Sequence, residues 1–545
     1  MLTSKAGSEA VEALRRPLHA GVLARSEVVV AVALVAGLIV RLYYLVPAGG
    51  FPLNDGGLFY SMARDLQAHD FITPARTSYN LDAIPYAYPP LMVYAIALLD
   101  RFTPIDLITS LRFLPALASL ATIPVFYALA RKLLPGTSAS AAAIAFAVLV
   151  EGFHWHIMGG GITRAFGLLF ALLAIQQAVR LFIERDGRGL LPVIGWASAA
   201  QLTHPNLVAP IAIGLIVLLH GRSRPALKQA AIVAGSVLVL TAWWWGALVL
   251  RDGAGTFLAL RASRFSEYFY HDGYPWRALL DWSFTTQPVL NWPAALALIG
   301  AAALIARGAY LVPLWLVAEF VLEPTQAHNF LPAPVALLVG AGVGLVVLPA
   351  LTRPWAFEEP EAPAAWRRWA RPRWGLGSRI ATTGFVTVLG VIALSSALAK
   401  PELPALRSLS GDERANLEWI ARETPADARF LVVSGQPWWA DGLSEWFPAL
   451  TGRHSDYTAQ GYEWLGVEFP NRIYWHDRLQ GCGGEDASCL DDVVVRSQSS
   501  YDYVYVRTNC CGELRDAILS STRFRVVRQN EAGIIAVVVR QALAS

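Results

Sequence analysis

Asn54-Asp55-Gly56-Gly57 places one carboxylate just ahead of a stretch with helical periodicity at 57–69. A carboxylate there does one of two things. It accepts free backbone N–H groups as a helix cap, or it takes a proton from a reacting hydroxyl as a general base. The residues alone leave both open. Glu151, His154, His156, Gly159-Gly160-Gly161 and Arg164 crowd into a second polar stretch. His204 lies in a third, Arg261 and Arg264 in a fourth, and Glu323 and His328 in a fifth. Glu151, Arg164, Glu323 and His328 fall within about a turn of apolar helix. Ionisable groups are costly there unless they line a wet or protein-enclosed cavity, so a shared cavity is expected. Its cations would hold an anion and its carboxylate would move a proton. His154 and His156, two residues apart, do not share a helix face, and no metal site is expected of them.

The elements that must position these groups are apolar. Hydrophobic residues make up 55% of the 545 and charged ones 16%, against about 25% charged in a soluble protein. Apolar runs at 28–46, 107–130, 137–153, 163–183, 189–203, 206–220, 228–250, 291–306, 309–323, 329–350 and 380–399 suggest about eleven spans. The short segments between alternate pairs carry Arg131-Lys132, Arg185 and Arg188, Arg222, Arg224 and Lys228, Arg307, and a group from Arg353 to Arg379. Under the positive-inside rule these are cytoplasmic, as is the segment 1–27. The polar stretches then fall outside, in a membrane domain over 28–399 with a long first outer loop at 47–106. Within that loop, Tyr86-Ala87-Tyr88-Pro89-Pro90 opens a short apolar stretch expected to lie at the interface. Arg41, near the outer end of the first span, either snorkels or meets an anionic headgroup.

An odd span count delivers 400–545 to the outside. This part carries 15 Lys/Arg against 20 Asp/Glu, and the remainder a net +8. No basic stripe is interleaved with aromatics, which excludes nucleic acid as a partner. Helices at 414–423 and 512–520 and strands at 429–434, 501–507, 524–528 and 533–539 read as a small α/β domain. All four cysteines, Cys482, Cys489, Cys510 and Cys511, lie here, as expected for disulfides in an oxidising compartment. The adjacent pair Cys510-Cys511 is expected to bridge outward to Cys482 and Cys489. Trp438, Trp439, Asp441, Glu445, Trp446 and Tyr462 suit either stacking on sugar rings or packing onto the membrane half.

Leu53-Asn-Asp-Gly-Gly-Leu-Phe-Tyr60, followed by Tyr88-Pro-Pro-Leu91, resembles the first outer loop of GT-C-fold glycosyltransferases that use polyprenyl-phosphate sugars. It looks closest to relatives of the protein mannosyltransferases and aminoarabinose transferases, over roughly residues 28–350. The resemblance implies that Asp55 is the catalytic base. Many members have two adjacent acids here, whereas this chain has Asn54-Asp55. His328-Asn329-Phe330-Leu331-Pro332 is similar to the segment that opens a late span, where a basic residue approaches the lipid phosphate. The resemblance implies a polyprenyl-phosphate sugar donor, a glycan, lipid or protein acceptor, and inversion at the anomeric carbon. Arg164, Arg264 and His328 would face the leaving phosphate, with Arg41, Tyr88, Glu151, His154, His156, His204, Arg261 and Glu323 around the substrates. No cofactor is expected and no divalent metal is required. The competing class is a transporter or flippase of a lipid-linked or anionic substrate. Against it stand the lack of a repeated half and of charge midway along most spans.

Overall fold

The computed structural model describes residues 26–270, 292–323, 327–352 and 406–539. Helices occupy ten of the eleven places where apolar runs predict them, and the run at 380–399 lies outside the described residues. Local chemistry sets their ends. Asp106 accepts from the Thr109 amide at 2.6 Å and starts the helix Leu107–Leu133, which closes on Arg131 and Lys132. Cations there complement the negative end of the helix. Ser223 likewise caps Arg224–Asp252. Among the described residues, five helices are long and apolar enough to cross a membrane: Glu27–Leu45, Leu107–Leu133, Gly161–Ile183, Arg224–Asp252 and Pro332–Leu351. Gly136–Val148, Val208–His220, Pro293–Ile305 and Leu311–Leu322 are apolar but shorter. The chain is an integral membrane protein, and among the described residues five helices have the length and apolarity of a span where the apolar runs suggest about eleven.

Lipid tails supply no hydrophobic force between helices, so packing depends on close backbone approach. Pro332–Gly342 is buried along its whole length between Gly136–Val148 and Trp292–Ile305. A Cβ at Gly340 would stand 2.3 Å from the Ser138 carbonyl oxygen, and one at Gly342 equally close to that of Leu296.

Beyond the bundle, residues 406–539 form an α/β region on a five-stranded sheet. Strands β1 (Arg429–Val433), β2 (His454–Ser455), β3 (Tyr503–Arg507), β4 (Phe524–Asn530) and β5 (Gly533–Val538) run in the order β2-β1-β3-β5-β4. β1 is parallel to β2 and β3, whereas β5 is antiparallel to β3 and β4. Two disulfides form, but not as expected. Cys482 bridges Cys489, and Cys510 bridges its neighbour Cys511. The turn Cys482–Gly484 runs almost directly into the helix Ser488–Arg496. That brings the first pair to a Cα–Cα distance of 5.6 Å, inside the range a disulfide spans.

The loop 47–106 and the α/β region are not separate bodies. Phe51, Leu58, Tyr79 and Met62 share one buried cluster with Trp446, Phe447, Tyr462 and Phe469. Leu53 pairs with Ser408 as an isolated antiparallel bridge, and Asn54 N–H donates to the Arg407 carbonyl at 2.7 Å. The loop's helices Gly57–Ala68 and Leu91–Phe102 coincide with the periodic and apolar stretches read from sequence.

A second tie is ionic. His454 Nε2 lies 2.7 Å from Asp82 of the loop, and Nδ1 lies 3.3 Å from Asp456. Arg472 and Tyr462 also face Asp82, and Arg429 pairs with Asp456. Burial pulls the His454 pKa down, but Asp456 and Asp82 outweigh it and hold it above the usual 6.5. A raised histidine contributes stability that is fully present below 6.5 and is lost as pH rises through the folded value. Amide exchange at Asn80 and Ser455, corrected for intrinsic rates, is therefore expected to accelerate across that window. A His454→Gln variant should lack the pH step. Equal steps in both proteins would remove His454 from the tie.

Candidate active site

Asp55 sits between two residues of positive φ, Asn54 (48°) and Gly56 (132°). Asparagine and glycine are the types that tolerate this. The turn aims the carboxylate away from its own helix. Gly57–Ala68 has Gly56 as its N-cap and no side-chain cap bond from Asp55. Instead, Asp55 Oδ1 accepts from the Gly160 amide at 2.8 Å, and Oδ2 accepts from Arg164 Nη2 at 2.7 Å. Both partners stand at the start of the helix Gly161–Ala178. Two of the three glycines explain the approach: a Cβ at Gly159 would lie 1.9 Å from the Asp55 carbonyl oxygen, and one at Gly160 2.4 Å from Oδ2.

Arg164 is fixed in turn. Its Nε donates to the Trp155 carbonyl at 3.0 Å, and its guanidinium lies 5.4 Å from the Trp155 ring centre. Trp155 faces the half-exposed Trp439 of the α/β region, ring centres 6.4 Å apart. The ion pair is mostly enclosed, with side-chain exposures of 13% for Arg164 and 10% for Asp55. Each carboxylate oxygen keeps a second lone pair after these bonds. The site can hold an anion near Arg164 and can take a proton on Asp55.

The other expected residues divide. His156 and His204 are buried, and both rings lie near that of Phe330, at 6.0 and 5.7 Å. His154 Nδ1 pairs with the Val150 carbonyl at 2.8 Å. His154 and His156 thus serve different neighbours. Among the described residues, no group of three or more His, Cys, Asp or Glu side chains is placed to hold a metal ion. Tyr88 donates to Glu463 at 2.7 Å, with its ring against Phe59 and Trp464. It joins the loop to the α/β region. Arg261 is exposed on the helix Gly255–Tyr270, whose Ser263 donates to the Glu463 carbonyl at 2.8 Å. Glu323 ends the helix Leu311–Leu322. The side chains of Glu151, Arg264 and His328 lie outside the described residues.

Arg41 requires a correction. It neither snorkels nor faces a ligand, because its guanidinium is spent inside the bundle on Ser119 and on the Gly37 and Ala147 carbonyls, at 2.9–3.3 Å. Only 2% of the residue is exposed. Most of the aromatic-acidic segment packs as well. Trp446 is fully buried with Nε1 on the Asn54 carbonyl at 2.8 Å, and Asp441 caps Gly442–Thr451. Glu445 accepts from the amides of Gly57 and Leu58. Nothing in the spacing announces that role, since its partners are 388 and 387 residues away.

No protein-family model matches the chain, and no curated protein matches its sequence. Solved structures do. The apo oligosaccharyltransferase of Archaeoglobus fulgidus aligns over 89% of this chain and 70% of its own, with a TM-score of 0.53 at 15% identity. The chain has the GT-C fold. AglB of the same organism, in complex with an inhibitory peptide and a dolichol-phosphate, aligns over 88% of this chain and 69% of its own, with a TM-score of 0.51 at 14% identity. The mycobacterial arabinofuranosyltransferase AftD covers 94% of this chain with 40% of its own length, with a TM-score of 0.50 at 16% identity. At 88–94% of this chain, these alignments take in most of the bundle and much of the α/β region.

Proposed function

We propose that this protein is a membrane glycosyltransferase that moves a sugar from a polyprenyl-phosphate donor to a hydroxyl of an extracytoplasmic acceptor. Asp55 carries the reading: an enclosed carboxylate, aimed away from its own helix and oriented by Gly160 and Arg164. The acceptor oxygen attacks the anomeric carbon while its proton passes to Asp55. The bond from that carbon to the phosphate oxygen breaks, and its electron pair leaves with the polyprenyl phosphate. Inversion follows from a single displacement. Arg164 supplies positive charge for the leaving group, joined by Arg264 and His328 from the polar stretches that flank apolar helices. The shared fold with an oligosaccharyltransferase that binds a dolichol-phosphate supports this donor class. The net +8 over 1–399 supports the orientation.

The test is native mass spectrometry of the purified protein. A co-purifying polyprenyl-phosphate sugar is expected, converted to bare polyprenyl phosphate when an envelope extract is added as acceptor. Movement of the intact lipid-linked sugar across vesicles without transfer would replace this reading with transport.

A further inference from the structure

The helix Gly57–Ala68 begins two residues after Asp55, and its first amides need acceptors. Its own N-cap, Gly56, has no side chain to offer. Glu445 fills the gap from the α/β region, with Oε2 2.8 Å from the Gly57 nitrogen and Oε1 3.2 Å from that of Leu58. The residues around it grip the same peptide. Trp446 Nε1 donates to the Asn54 carbonyl, Asn54 Nδ2 donates to the Trp439 carbonyl at 3.0 Å, and Tyr79 donates to the Glu445 carbonyl at 2.6 Å. Asp55 is thus bracketed on both sides by contacts to one short segment, 439–446.

A carboxylate is a costly way to cap a helix among Leu443, Trp446 and Phe447, all of them buried. Burial, and then the charge of Asp55, push the Glu445 pKa to about 8 against the pull of the backbone amides, so both oxygens are full acceptors above that pH, where the variants are compared. A helix cap alone needs no buried acid. What this acid adds is a rigid two-point hold on the residues that follow Asp55.

We propose that Glu445 is a positioning residue for Asp55, so that sugar transfer requires the α/β region to be docked through this side chain. The inference rests on the reading of Asp55 as base. Its test compares Glu445→Gln, which keeps one acceptor oxygen, with Glu445→Ala, which keeps none. Misplacing a reacting group by about 1 Å costs on the order of 10²-fold. Turnover is therefore expected to fall by about 10²-fold in the Ala variant and about 10-fold in the Gln variant. Donor KM should stay within about twofold of wild type, as for an interaction that acts only in the transition state. Donor occupancy by native mass spectrometry should be unchanged, and amide exchange at Gly57 and Leu58 should quicken. Wild-type turnover with quickened exchange would make Glu445 a cap that positions nothing. Donor occupancy falling in step with turnover would make its role merely structural. Asp55→Asn runs in parallel to separate the two ideas. An inactive Asp55→Asn beside a fully active Glu445→Ala overturns this inference alone, whereas an active Asp55→Asn overturns both.

Discussion

Asp55→Asn is expected to lower sugar transfer by about 10²–10⁴-fold, the usual worth of a general base, while the protein stays folded and keeps its donor. The structure changes what this substitution tests. Asp55 is no cap for the helix that follows it, so the near-equivalence of Asn and Asp as caps is not the relevant comparison. The residue instead closes an ion pair with Arg164 at 2.7 Å and accepts from Gly160 at 2.8 Å. An asparagine oxygen can still accept from one of them but carries no charge for the other. Loss of a charge-assisted bond of this kind costs roughly 1–3 kcal/mol of stability. That loss falls on the folded fraction, not on the rate per folded molecule. Transfer must therefore be normalised to donor-bound protein, with thermal stability measured beside it. A per-molecule rate within a few-fold of wild type would remove Asp55 from the chemistry and leave the ion pair as a brace between loop and bundle.

Much of this arrangement is legible in the amino-acid sequence. The two helices and four strands expected of the α/β region fall close to where local pattern puts them, with 512–520 matching to the residue, but the helices Gly442–Thr451, Glu468–Gly481 and Ser488–Arg496 and strand β2 do not stand out in that pattern. Asp55 and Arg164 stand out by type and position, and they meet. Contacts between segments far apart in sequence are not legible. Arg41 carries the signature of a snorkelling residue, yet Ser119 and the Ala147 carbonyl hold it inside. Only packing reveals that. Glu445 and Trp446 have the composition of a sugar-binding surface but are consumed in holding Asn54 and Gly57. The pairing of Cys510 with Cys511 goes against the expectation that neighbours bridge outward, because Cys482 and Cys489 are brought together by one turn. Glycine makes the same point in reverse. Gly159-Gly160-Gly161 reads as a loop signal, but its meaning is close approach by another segment.

That approach yields a sharper probe than removing the carboxylate. Gly160 has φ −67° and ψ −10°, a conformation open to alanine without backbone strain. An added Cβ would lie 2.4 Å from Asp55 Oδ2 and 2.8 Å from Cγ. Those atoms belong to a side chain that can turn away, so Gly160→Ala should fold and shift the carboxylate without changing its chemistry. At Gly159 the obstacle is the Asp55 carbonyl oxygen, 1.9 Å from the new Cβ. Backbone cannot turn away, and Gly159→Ala should lose about 1–3 kcal/mol of stability as overpacked sites do. For Gly160→Ala the expected result is near-normal melting and donor occupancy with transfer reduced by about 10²-fold or more, since displacement on the order of 1 Å is enough for that. The pair separates position from presence. Gly160→Ala that transfers at the wild-type rate, in a protein whose Asp55→Asn variant is inactive, would mean that the acceptor follows the carboxylate wherever it goes. Pre-organisation by the glycine turn would then have no part in the rate.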